Sequence, residues 1–229
     1  MSLSLNNNQL VSLDGNIGSG KTSLFEELKK EMNDNKQIIF LKEPVDEWDR
    51  IKDENGITML EKFYENQEKY SFPFQMMAFI SRLVILKNAL KENTNSIIIT
   101  ERCLHTDKMV FAKMLYDSGK IEKVNYDIYL MWFNHFIEDF PVSKIIYVNT
   151  KPQLCFDRIK KRSRNGESNV SIDYLEELEK YHISMFQTID PNKERLEING
   201  NVDIYENSNQ LNDWICQIQE IIKTIKLLC

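Results

Sequence analysis

The chain has no cysteines spaced as C-x-x-C, no histidines at ligand spacing, and no apolar run near the roughly 20 residues that a membrane helix needs. Its four cysteines, Cys103, Cys155, Cys216 and Cys229, stand far apart, which argues against a zinc site or a disulfide framework and fits a reducing compartment. An excess of positive charge is also missing. Lys and Arg number 29 against 35 Asp and Glu, a formal net charge of −6, so broad nucleic-acid binding is not expected and any basic cluster must be local. Met1 to Gln9 contain no arginine, no basic n-region and no apolar h-region, so no signal or transit peptide is visible and the expected location is cytoplasmic. No repeat, low-complexity block or Pro/Gly-rich linker divides the 229 residues, and one domain over residues 1–229 is expected, long enough for a substantial core. His105, His135 and His182 suggest no chemistry.

What is present is an alternation of short apolar runs with long helical segments, the pattern of βαβ units and a parallel sheet. Strands are predicted at Gln9–Leu13, Gln37–Leu41, Ser96–Thr100, Lys144–Val148 and Arg195–Ile198, all rich in Ile, Val or Leu, as strands buried on both faces should be. Helices are predicted at Lys21–Met32, Phe74–Lys91, Cys103–Tyr116, Glu122–Glu138, Pro152–Lys161, Ile172–Thr188 and Leu211–Leu228. Gly56, Gly119, Gly166 and Gly200 punctuate loops or helix ends. The expected fold class is α/β, doubly wound.

Gly15-Asn16-Ile17-Gly18-Ser19-Gly20-Lys21-Thr22 matches G-x-x-x-x-G-K-S/T in full, with an apolar strand before it and a helix carrying Leu24, Phe25, Leu28 and Met32 after it. Glycines let backbone N–H groups converge on phosphate oxygens, and the helix N-terminus adds positive potential. Lys21 is expected to reach the β- and γ-phosphates of ATP and the Thr22 hydroxyl to ligate Mg²⁺. This motif establishes nucleotide binding alone, since switches and motors share it.

Further motifs follow in order: Glu43-Pro44-Val45 with Trp48 after the second strand, Tyr70-Ser71-Phe72-Pro73-Phe74-Gln75 leading to Ser81-Arg82, and Glu101-Arg102 after the third. Together with the P-loop, over about Val11 to Ile198, they resemble the deoxyribonucleoside kinase family, the group containing deoxycytidine, deoxyguanosine and mitochondrial thymidine kinases. The resemblance implies a P-loop kinase fold, a five-stranded parallel sheet with helices on both faces and an arginine-rich lid. It implies Glu43 as the group that orients the 5′-hydroxyl and accepts its proton, Arg102 beside that hydroxyl, and Glu101 with Thr22 around Mg²⁺. Gln75 resembles the amide that reads the nucleobase, Tyr64 and Glu167 the pair that holds the sugar 3′-hydroxyl, and Trp48, Phe74 and Phe111 the aromatic walls. The family commonly has serine after the Glu-Arg pair, where this chain has Cys103.

Ala78, Arg82 and Asp107 mark the branch by resemblance. Arg82 lies seven residues after Gln75 and four after Ala78, so the three share one helical face. An Arg–Asp pair resembles that of deoxycytidine and deoxypurine kinases, because a carboxylate can accept from an exocyclic amine and a site built for an amine rejects a base lacking it. Thymidine is expected to be a poor acceptor.

Arg158, Lys160, Lys161, Arg162 and Arg164 crowd into seven positions of an acidic chain and resemble the family's lid, about residues 158–169, with Asn165-Gly166 as a helix stop and hinge. Arg158 and Arg162 stand at i and i+4, where both can point at one ligand, and guanidinium groups suit phosphate oxygens. Near Asn199-Gly200-Asn201 the acidic loop that the family has beside the donor base is replaced. Rival readings are a nucleoside monophosphate kinase, which would need further cations at the acceptor site, and a non-catalytic structural subunit, which the intact motifs argue against. A GTPase switch is weaker, because Asn192-Lys193-Glu194-Arg195 fails the NKxD pattern at its last position. Family members are usually homodimers joined through helices, which implicates Phe74–Lys91 and Cys103–Glu138; no nucleic acid or membrane partner is expected.

Overall fold

A computed structural model describes residues 7–164, 166–192 and 194–227. Met1, the expected hinge residue Asn165, Lys193, Cys229 and Leu228, the last residue of the expected final helix, lie outside the described residues. In chain order the strands and helices are β1 (Gln9–Gly15), α1 (Lys21–Glu31), β2 (Ile38–Leu41), α2 (Val45–Trp48), α3 (Met59–Glu65), α4 (Gln67–Glu92), β3 (Ile97–Glu101) and α5 (Leu104–Thr106). A π-helical segment (Asp107–Ala112) then leads into α6 (Lys113–Asp117), α7 (Lys123–Phe136), β4 (Lys144–Asn149), α8 (Pro152–Arg162), α9 (Ile172–Ile189), β5 (Leu196–Asn199) and α10 (Ser208–Leu227).

The five strands form one parallel sheet in the order β2-β3-β1-β4-β5, which puts all their carboxyl ends along one edge. Side chains alternate across it, as the period of two requires. Val11, Leu13, Ile97, Ile99, Ile146 and Val148 face α1 and α10, joining Leu24, Phe25, Leu28, Trp214 and Ile218. Leu10, Ile98, Ile145 and Tyr147 face the other way, into a larger cluster with Phe79, Leu83 and Leu86 of α4, Tyr129 and Phe133 of α7, and Leu175 and Leu178 of α9. Burial on both faces explains why the strands read as unbroken apolar runs.

Three local features depart from the sequence reading. α4 starts at Gln67, ahead of Phe74, because the Asn66 side chain caps it by accepting from the Lys69 N–H; Pro73 sits in its second turn and removes only the bond to the Lys69 carbonyl. The short helices α2 and α3 were not expected. α3 begins with a reciprocal capping box in which Thr58 and Glu61 each satisfy the other's backbone N–H. The helix predicted at Cys103–Tyr116 is broken into three by the π turn, whose wider i→i+5 winding is often found at functional sites.

Candidate active site

The turn from β1 into α1 is moored from several sides. The Asn16 amide donates to the Leu175 carbonyl at 2.8 Å, and the Ser19 carbonyl accepts from Thr150 Oγ1 at 2.9 Å and from Arg158 Nη1 at 3.0 Å. Gly18 is left-handed at φ 76°, and a Cβ there would stand 2.5 Å from the Cys155 carbonyl oxygen, so both conformation and space require glycine. Lys21 is buried and its ammonium donates to the Asn16 carbonyl at 3.2 Å. Burial, helped by the nearby Arg102 cation, pulls its pKa down to about 8 against the pull of Glu101 and Glu43.

Two cavities meet at this loop. One is lined by Lys21, Thr22, Glu43, Gln75, Glu101 and Arg102 among others. The second lies between the loop, α8 and the residues after β5, including Gly200, Asp203 and Tyr205. Gly18, Lys21, Thr22 and Arg162 belong to both. The carboxylate that follows β2 and the lysine that follows β1 therefore face one space at the carboxyl edge of the sheet, where open α/β sheets bind ligands.

Within the first cavity Glu43 is the focus of the charges. Its Oε1 takes Arg82 Nη2 at 2.9 Å and Arg102 Nε at 3.3 Å. Burial alone would raise its pKa; the cations of Arg102, Arg82 and Lys21 override it and hold the carboxyl at about 2. Such a carboxylate is ionised at every physiological pH and can accept hydrogen bonds, but it is a weak base. Arg102 is one of the few residues other than glycine at positive φ, 67°. That left-handed backbone is fastened by its N–H to the Leu13 carbonyl, by Nη1 to the Gly15 carbonyl at 2.8 Å, and by the guanidinium lying over the Phe111 ring at 4.8 Å. Strain of this kind is kept at sites that need it. The Thr22 hydroxyl donates to Glu101 Oε1, which brings together the two oxygen ligands expected for Mg²⁺.

The remaining sequence candidates divide. Trp48, Tyr64, Phe74, Gln75, Ala78, Asp107 and Phe111 all line the first cavity, as do Arg162, Arg164 and Glu167. Trp48 is held by its indole N–H to Ser81 Oγ at 2.8 Å and packs edge-on against Phe74 at 5.6 Å. Asp107 and Phe111, four apart on the π turn, reach the cavity together. Arg82 stands behind the wall, 2% exposed at its side chain, with Nε and Nη2 on Asp107, Nη2 on Glu43, and Nη1 on the Glu101 carbonyl at 2.6 Å. Burial disfavours its charge, but Asp107 and Glu43 outweigh that and keep it cationic. Arg158 donates to three carbonyls, of Ser19, Gly200 and Val202, and so ties the phosphate loop to the segment after β5. Arg162 donates to both oxygens of buried Glu167 at 2.7 and 2.6 Å, with Arg164 at 3.4 Å.

Sequence reasoning missed Phe63 and Tyr174, which also line the cavity. Phe63 stacks on Phe74 at 4.5 Å, and Tyr174 stands in the first turn of α9, three residues after its cap Ser171. Neither carries a motif; only the convergence of α3 and α9 on the cavity reveals them. Asp14 was passed over as well. Fully buried at the end of β1, it accepts from Thr106 Oγ1 at 2.7 Å, with Cys103 Sγ at 3.7 Å. Burial, with Asp14 adding, pushes the Cys103 thiol up to about 12, so it stays protonated beside the site.

A P-loop whose lysine shares a cavity with the carboxylate that follows β2 defines a nucleotide-binding protein of the P-loop class. Residues 11–223 match the model of the deoxynucleoside kinase family, and the chain belongs to that family. It is 31% identical over 227 residues to the fowlpox virus protein named "Probable deoxycytidine kinase", covering 96% of this chain and 91% of that one. Human deoxycytidine kinase is 31% identical over 194 residues, 76% of this chain and 74% of its own length. Human mitochondrial thymidine kinase 2 is 28% identical over 175 residues, 76% of this chain and 62% of its own. The protein is thus a phosphotransferase enzyme, drawing on a nucleotide phosphoryl donor.

Proposed function

We infer that the enzyme transfers the γ-phosphoryl group of ATP to the 5′-hydroxyl of a deoxyribonucleoside, and that deoxycytidine, deoxyadenosine or deoxyguanosine is accepted in preference to thymidine, in deoxynucleotide salvage. The observation that carries this reading is the single cavity with Lys21 and Thr22, Glu43, and the polar pair Gln75 and Asp107 on its walls. The deoxycytidine kinases among the relatives support the choice of branch. The acceptor hydroxyl lies on Glu43 and beside Arg102, the base lies between the Trp48 and Phe111 walls, and Asp107 accepts from its exocyclic amine. Thymine has no exocyclic amine to offer Asp107. Tyr64 and Glu167 hold the sugar. Arg162 and Arg164 exchange Glu167 for the donor phosphates as the lid, about residues 158–169, closes, and Arg158 steadies the loop that receives the triphosphate. Thr22 and Glu101 supply hard oxygen ligands suited to Mg²⁺, which would neutralise charge on the β- and γ-phosphates.

The rest of the reading is one domain working as a homodimer in the cytoplasm. Ile80 and Val84 on α4 and Val124, Ile128, Met131 and Trp132 on α7 are large apolar side chains left exposed on two neighbouring helices, and a second copy is the partner that fits. Buried thiols at Cys103 and Cys155 suit a reducing compartment. Among the described residues no helix is long and apolar enough to cross a membrane.

One panel tests the activity: purified protein, Mg-ATP, four deoxynucleosides and their monophosphates, with Glu43→Gln as control. Monophosphate formed from deoxycytidine or a deoxypurine nucleoside, and lost in the control by roughly 10²-fold or more, supports the reading. Preference for thymidine over the other three, or for the monophosphates, overturns it. Light scattering with Met131→Glu tests the dimer.

A further inference from the structure

The last turn of α8 gathers charge of one sign. Lys160, Lys161 and Arg162 end the helix, Arg164 follows, and the residue between the two arginines is Ser163. Ser163 caps the helix in the left-handed region, φ 52° and ψ 41°, with its N–H on the Ile159 carbonyl at 3.1 Å. The residue is exposed, and its hydroxyl donates to the Lys160 carbonyl at 2.8 Å. The arginines on either side converge on one carboxylate: Arg162 reaches both oxygens of Glu167 at 2.7 and 2.6 Å, and Arg164 reaches Oε1 at 3.4 Å. A serine hydroxyl therefore stands at the surface between two guanidiniums that share a single anion.

We propose that Ser163 is a phosphorylation site, modified by a protein kinase that recognises basic residues ahead of its serine, and that the phosphate turns the enzyme off by drawing Arg162 and Arg164 away from the donor phosphates. The role of those two arginines rests on the reading above; the modification goes beyond it. Lys160 and Lys161 stand three and two positions before the serine, where a kinase with an acidic peptide-binding cleft makes its contacts. Between α8 and α9 the described residues hold one 3-10 turn, Glu167–Asn169, so only the end of α8 has to open for the segment to enter such a cleft. In the transfer the Ser163 Oγ attacks the γ-phosphorus of that kinase's ATP. The bond from phosphorus to the ADP oxygen breaks, and the hydroxyl proton passes to that kinase's catalytic aspartate.

Two consequences follow from the added charge. The esterified Oγ has no hydrogen to donate, so the bond to the Lys160 carbonyl is lost and an anion faces the negative end of α8. The phosphate also brings roughly two negative charges against the one of Glu167, and its oxygens suit the paired N–H groups of a guanidinium. Arg162 lines both cavities, so its capture takes a cation from each.

The test uses the full chain with phosphoserine installed at position 163 during translation, beside wild type and Ser163→Ala. Titration with a fluorescent ATP analogue and Mg²⁺ reads the donor site without any acceptor. The phosphoserine form is expected to bind it about 30-fold more weakly and to turn over its best nucleoside about 100-fold more slowly, with Ser163→Ala within about twofold of wild type. Its melting temperature is expected to stay within about 3 °C. In an Arg162→Ala, Arg164→Ala background the phosphate is expected to weaken nucleotide binding by less than about threefold, because its partners are gone. In a second arm, wild type and Ser163→Ala are incubated with a cyclic-AMP-dependent protein kinase and with protein kinase C in radiolabelled ATP. Label is expected in the peptide that contains Ser163 and not in Ser163→Ala. No label at Ser163 from either kinase, nucleotide affinity unchanged by the phosphate, the same loss without the two arginines, or a loss that appears only with collapse of the fold would overturn the proposal. If the wild type phosphorylates none of the four nucleosides, it is the activity reading that fails, and the nucleotide titration still decides the site.

Discussion

On the side of the cleft proposed to receive the triphosphate the polar groups of the phosphate loop belong largely to the main chain of Gly15–Gly20, and even Arg158 is engaged with three backbone carbonyls. On the side proposed to receive the acceptor the polar groups are side chains drawn from scattered elements: Glu43 from beyond β2, Gln75 from α4, Arg102 from beyond β3, Asp107 from the π turn, Glu167 from the turn before α9. The difference follows from what each side must recognise. Phosphate oxygens are alike in every nucleotide and are met by N–H groups and a helix terminus, which any backbone of the right curvature supplies. A nucleoside differs from its competitors by one amine or one hydroxyl, and only placed side chains tell these apart.

Four changes would sharpen or break that contrast. The largest effect is expected at the seam, where Arg162 serves both cavities. Arg162→Ala should lower kcat by about 10³-fold with thermal stability unchanged, as for arginines that neutralise a transferring phosphoryl group, and near-normal turnover would remove it from the donor machinery. Second, the support beneath both sides depends on pH through His182. It is fully buried on α9, with Nδ1 2.8 Å from the Leu178 carbonyl, and burial depresses its pKa to about 4 despite Asp14 nearby. The unfolded chain takes up this proton near pH 6.5 and the folded chain resists it until about 4, so stability declines as pH falls between these values, by up to about 3 kcal/mol. Denaturant titrations at pH 7 and pH 4.5 should show the loss, and His182→Phe should diminish it.

Third, a backbone-built donor side should be intolerant of a single methyl. Gly18→Ala is expected to raise the KM for ATP about 100-fold and leave acceptor binding nearly unchanged, because the added Cβ meets the Cys155 carbonyl oxygen. Equal damage to both substrates in equilibrium binding would mean the two sides are not separable. The smallest effect separates side chain from backbone at Arg102. Arg102→Ala and Arg102→Gly should lower turnover alike, but glycine at φ 67° relieves a left-handed strain of about 1 kcal/mol, so the glycine variant should melt slightly higher.

The contrast also explains how much could be read beforehand. The phosphate loop was legible because its residues are contiguous and their spacing is dictated by a turn. The five strands were legible because burial on both faces leaves unbroken apolar runs, and their bounds shifted by only a residue or two. On the acceptor side the motifs at Glu43, Gln75 and Glu101-Arg102 stood out only through resemblance to a family. Tyr174 and Phe63 stood out through nothing, since an aromatic at helical spacing looks the same whether it faces core or cavity. Arg82 illustrates the limit within one residue. Its place on the same helical face as Gln75 and Ala78 was evident, but that its guanidinium would stand behind the wall and bind two carboxylates was not.

The sequence by itself determined the alternation of strands and helices, the phosphate-binding turn and the identity of the chemical groups, because these depend on neighbours within a few positions. Only the tertiary structure decided which of those groups share a cavity and which serve as its scaffold. That outcome depends on the strand order β2-β3-β1, on the π turn that lines up Asp107 with Phe111, and on charges brought together from residues 43, 82, 102 and 107. Coulomb interactions and burial act through space, and distance along the chain carries no record of them.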